Sequence, residues 1–83
     1  MDFLVEVKKA LGIQSDYMDN LLQVYIDEVK EYIIDAGVSQ EVAESKKSIG
    51  VIVRGVADLW NYGKGNAELS PYFKERVIQL VRA

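Results

Sequence analysis

Eighty-three residues with a formal net charge of −3, no cysteine and no histidine narrow the possibilities at once. The length fits one domain, residues 1–83, and the missing residue types rule out disulfides and thiolate or imidazole metal sites. Apolar residues make up 49% of the chain and charged residues 28%, a globular composition that argues against disorder. The acidic balance argues against non-specific nucleic-acid binding, which needs a basic face to displace counterions.

By size scaling, a folded monomer of this mass hides about 63% of the surface of its extended chain, enough for a real but marginal core. Self-association is the remaining staple for a small chain without disulfides or metal. No apolar run reaches the length of a bilayer span, and the amino terminus lacks a basic start before an apolar stretch. A reducing cytoplasm is the expected compartment.

The first helix is expected over residues 2–11. Phe3, Leu4, Val7 and Leu11 recur at helical spacing, Asp2 stands where an N-cap belongs, and Gly12 where a helix stops. The second is expected to be capped by Ser15 or Asp16, with Asp19 in its first turn and Gly37 at its end. Leu22, Ile26, Val29 and Ile33 form its apolar stripe, widened by Met18, Leu21 and Tyr25, with Asp27, Glu28, Lys30 and Glu31 opposite.

Ser39 opens a third helix with Glu41 and Glu44 in its early turns, and Ile49, Ile52, Val53, Val56, Leu59 and Trp60 on its apolar face. The β-branched run Val51-Ile52-Val53 has no second strand candidate to pair with, so it reads as helix. Gly50 and Gly55 each cost a helix interior about 1 kcal/mol against alanine, which is tolerable where another helix passes close or the helix bends. A loop follows over residues 63–69. Ser70-Pro71 then reads as N-cap and first helical position, with Phe73, Val77, Ile78, Leu80 and Val81 expected in the core. The fold class is all-α, a small bundle of about four helices with short connections.

Without histidine or cysteine, a nucleophile and base would have to come from serines, lysines, tyrosines or carboxylates. Asp16, Asp19, Asp27, Glu28 and Glu31 fall at helix starts and on solvent faces, where capping and solubility account for them. They lack the alternating ligands and central glycine of a calcium loop. Gly63-Lys64-Gly65-Asn66 lacks the Gly-Lys-Ser/Thr of a phosphate loop and follows a helix, so it reads as a helix stop and turn. No catalytic residue, metal or cofactor is implied. Lys46, Lys47 and Arg54 form one basic set and Lys74, Arg76 and Arg82 another, each interrupted by acidic or apolar residues, as on a mixed solvent face.

Trp60, Tyr62, Tyr72 and Phe73 bracket the 63–69 loop. Either they pin the last helix onto the third, or they form a protein interface, where tyrosine and tryptophan are enriched.

The stretches Val56-Ala57-Asp58-Leu59-Trp60-Asn61-Tyr62-Gly63 and Leu69-Ser70-Pro71-Tyr72-Phe73-Lys74-Glu75-Arg76-Val77 resemble the head–tail connector, or adaptor, family of tailed phages and prophages. Leu11-Gly12-Ile13, Asp16, Asp19, Asn20-Leu21-Leu22 and Val29-Lys30-Glu31-Tyr32-Ile33 extend the likeness over nearly the whole chain. The resemblance implies a non-enzymatic subunit, made in the bacterial host cytoplasm and built into the virion. It implies a ring of identical copies beneath the portal protein that lengthens the DNA channel and receives the next connector or tail protein. DNA would pass through the lumen without sequence-specific binding, and no membrane is involved.

On that reading the candidate interface is Trp60, Tyr62, Tyr72 and Phe73, with Lys64 and Arg76 as rim charges. Two other functions stay open to a chain of short helices: a small DNA-binding regulator and a cellular protein–protein adaptor.

Overall fold

Three helices begin where a short polar side chain accepts a hydrogen bond from the first turn. Asp2 accepts from the Val5 amide at 3.3 Å, Ser39 from Val42 at 3.2 Å and Ser70 from Phe73 at 3.1 Å. A computed structural model describes residues 2–62 and 70–82, except for the side chain of Tyr62. Its elements are α1 (Phe3–Leu11), α2 (Asp19–Asp35), the single turn α3 (Gln40–Ala43), a 3₁₀ turn (Lys46–Ser48), α4 (Ile49–Tyr62) and α5 (Pro71–Val81). The loop expected over residues 63–69, which includes Lys64, lies outside the described residues.

α1 stops at Gly12, whose φ of 72° is the left-handed conformation that only glycine adopts without strain. α2 starts later than expected, and neither Ser15 nor Asp16 caps it with a side chain. Met18 holds the N-cap position, and the Asp16 carbonyl accepts from the Asp19 amide at 3.2 Å to close a turn ahead of it. The Asp19 carboxylate does the work of fastening, 2.7 Å from Lys8 Nζ on α1.

The third helix expected from Ser39 onward is divided into α3, the 3₁₀ turn and α4. Two serines account for the break. Ser45 Oγ donates to the Val42 carbonyl at 2.7 Å and accepts from the Lys47 amide at 3.2 Å. Ser48 Oγ, fully buried, lies 2.7 Å from the Ala43 carbonyl and 2.9 Å from that of Ser45. Side-chain bonds of this kind replace helical backbone bonds and end one helix while starting another.

α4 lies at the centre and packs against α1, α2 and α5. Leu22, Ile26, Val29 and Ile33 of α2 are wholly buried, as the stripe predicts, with Phe3 and Val7 from α1 and Val51, Ile52, Val56 and Leu59 from α4. From α5 the core takes Phe73, Val77 and Leu80. Ile78 and Val81, also expected inside, are 55% and 40% exposed. At 100° per residue they fall to one side of the 73–77–80 stripe. Two contacts stitch α2 to its neighbours: Lys30 Nζ sits 4.1 Å from the Phe3 ring centroid and 3.2 Å from Glu44.

Candidate subunit interface

The site is built where α5 starts beside the carboxy-terminal half of α4. Ser70-Pro71 begins α5 in the orientation set by Asp58, a residue only 4% exposed. One carboxylate oxygen of Asp58 accepts from the Ser70 amide at 3.1 Å. The other lies 3.8 Å from Nε of Arg54, one turn earlier on α4. A buried carboxylate is tolerable here because both oxygens face donors.

This anchoring leaves Tyr72 on the outside, 52% exposed. Its ring has the Arg54 guanidinium carbon 5.1 Å from its centroid and that of Arg76 at 5.9 Å. Arg76 Nη1 donates to the Tyr72 hydroxyl at 3.2 Å. The negative ring face attracts both guanidiniums. The result is a fixed, exposed patch of one aromatic ring and two cations. Guanidinium donors beside an aromatic ring can bind carboxylates or other hydrogen-bond acceptors.

Of the residues singled out from the sequence, Tyr72 and Arg76 are brought together. Trp60 is partly buried against the core, on α4. Tyr62 closes α4, and its side chain, like the whole of Lys64, lies outside the described residues. Phe73 requires a correction. It is wholly buried and stacks at a tilt on Tyr32, centroids 5.5 Å apart, so it presents no surface to a second subunit. Arg54 and Asp58 were missed as site residues. Arg54 was read as part of a mixed solvent face, although its spacing of four from Asp58 was a usable signal for a pair on one helix face.

A family model described as phage gp6-like head-tail connector protein matches residues 1–83. The chain belongs to that family. The connector resemblance read from the Trp60 and Tyr72 stretches is therefore correct, and the fold it implied, a small all-helical bundle, is the one observed. Searches of curated proteins and of solved structures each found no match. Membership places the connector among the proteins of the phage head–tail junction, a structural role, and implies contact with other head or tail proteins. Among the described residues, no helix is long and apolar enough to cross a membrane.

Proposed function

We propose that this connector is a non-enzymatic subunit that assembles with copies of itself into a ring under the portal protein. The ring extends the DNA channel and docks the next connector or tail protein. The observation that carries this reading is the family match over residues 1–83, and the exposed Tyr72–Arg54–Arg76 patch gives it a contact surface. An aromatic ring clamped by arginines combines the residue types that dominate interface energetics. Trp60 and Tyr62 extend the proposed contact along α4, with Lys64 at its rim. DNA passes through the lumen without being gripped, in keeping with the net charge of −3. The subunit resides in the host cytoplasm until it joins the virion.

The test is light scattering after size exclusion at several concentrations, with and without the portal protein encoded near this gene. A discrete multimer of the 9.4 kDa chain, or co-elution with the portal, is the expected outcome. A strict monomer that ignores the portal overturns the proposal.

A further inference from the structure

Among the described residues, one face holds two cations, Lys47 and Arg76, without carboxylate partners, and another holds carboxylates without cations. The first is a shallow groove of about 250 Å³ between α4 and α5, lined by Lys47, Val51, Arg76, Gln79 and Leu80. Arg54 and the Tyr72 ring continue it toward the start of α5. Among the described residues neither Lys47 nor Arg76 has an ion-pair partner, and Asp58, the carboxylate at this end, is occupied by Ser70 and Arg54.

The second face is the outer ridge of α2. Leu22, Ile26, Val29 and Ile33 point inward, so at 100° per residue Asp27 and Glu31 point away from α4, with Asp35 one further turn along and Glu28 beside them. All four are exposed. Among the described residues none of them forms an ion pair, and the one polar side-chain contact is Gln23 donating to Asp27 at 2.9 Å. Val24, 60% exposed, adds apolar surface to the same ridge.

We infer that the α4–α5 groove of one copy receives the α2 ridge of the next, head to tail; this rests on the self-assembly reading above. Charge complementarity selects the occupant. Lys47 to Arg54 spans about 10 Å along the chain's helical rise, and Asp27 to Asp35 about 12 Å, so the two rows match in length as well as in sign. Arginine presents a donor fork suited to carboxylates. A two-fold contact through either patch would set like charges against each other, whereas pairing the two different patches is heterologous and closes into a ring when the rotation permits. Nucleic acid would use the groove but leave the ridge without a role.

Two double variants test this. Lys47→Glu with Arg76→Glu makes the groove acidic, and Asp27→Lys with Glu31→Lys makes the ridge basic. All four side chains lie outside the core, and circular dichroism checks that each variant keeps its helix content. Each is run in sedimentation velocity at low salt, alone, mixed one to one, and with the portal protein. Each variant alone should sediment as the single chain. The mixture should regain the wild-type multimer, because every groove then meets a ridge of opposite charge. A control mixture replaces the ridge variant by Asp16→Lys with Glu41→Lys, which carries the same net charge but an intact groove and ridge, so it should form the multimer by itself and leave the groove variant sedimenting as the single chain.

If wild type forms a multimer and both variants do so equally, or if the control variant draws the groove variant into its multimer as fully as the ridge variant does, the groove–ridge contact is overturned while the connector reading stands. If wild type neither self-associates nor binds the portal, both fall. If the groove variant loses retardation of duplex DNA while assembly is unchanged, the groove serves nucleic acid and the inference is wrong.

Discussion

A Cβ placed on Gly55 would lie 2.7 Å from Cε1 of Phe73 and 2.8 Å from Cγ1 of Val29. The glycine on α4 is therefore the point where α2 and α5 both close on the central helix. Its absent side chain lets Phe73 and Val29 reach the α4 backbone. This is the close helix approach that a glycine in a helix interior suggests.

Gly55→Ala should destabilise the chain by up to about 2 kcal/mol, because overpacking costs about 1–3 kcal/mol and helix propensity returns only about 1. Gly50→Ala has the opposite sign. The nearest atom to its added Cβ is Nη2 of Arg76 at 3.7 Å, ordinary contact, so it should stabilise by about 0.5–1 kcal/mol. Urea unfolding of the two variants checks the pair. Equal shifts in the same direction would contradict the close-approach account.

Asp58 holds the amino end of α5 against α4. Asp58→Ala leaves the Ser70 amide without its acceptor and Arg54 without its partner, and should cost about 1–3 kcal/mol. Asp58→Asn keeps an acceptor for Ser70 and should recover part of that loss. Thermal melts followed by circular dichroism read both, and equal midpoints for the two variants would remove the assigned hydrogen bond.

Much of this fold was legible because its signals are local. Asp2, Ser39 and Ser70-Pro71 cap helices through atoms three residues away, so position alone identifies them. The division of the third helix was not legible. Ser45 and Ser48 are compatible with a helix surface, and only the burial of Ser48 against the Ala43 carbonyl turns them into a break. The Ser15 or Asp16 cap failed for a related reason: the start of α2 is fixed by the Asp19–Lys8 pair across to α1, a contact that no local pattern carries. At the site, the sequence already held the answer for Phe73. The stripe Phe73, Val77, Leu80 assigns it to the core, and Tyr72, 100° away around the helix, to the surface. Grouping them by aromatic character alone hid that distinction.

Ser48→Ala tests the break itself. The hydroxyl proton that the Ala43 and Ser45 carbonyls share is removed, leaving buried acceptors short of a donor, and the expected loss is about 1–2 kcal/mol. Hydrogen exchange adds a positional reading. Amides of the 3₁₀ turn and the first turn of α4 should lose protection in the variant, while those of α2 should keep theirs at matched global stability. Uniform loss across all helices would mean that Ser48 acts only through bulk packing.

Tyr72 and Phe73 are neighbours in sequence with opposite duties, and their alanine variants should separate folding from assembly. Phe73→Ala empties a fully buried site and should cost about 3–5 kcal/mol, a large share of the stability of a chain this small, since about 0.05–0.15 kcal/mol per residue is usual. It should show a low, broad melt or none. Tyr72→Ala removes an exposed ring and its contacts with Arg54 and Arg76, a change within about 1 kcal/mol for the isolated chain. Combined with Tyr62→Ala, it should leave the helical signal intact and weaken the multimer or the portal complex, since interface aromatics typically cost more than about 1 kcal/mol on truncation. Circular dichroism and light scattering on the same samples decide it. A collapsed helical signal in the double tyrosine variant would make those rings part of the fold, and an intact fold with undiminished assembly would move the interface elsewhere.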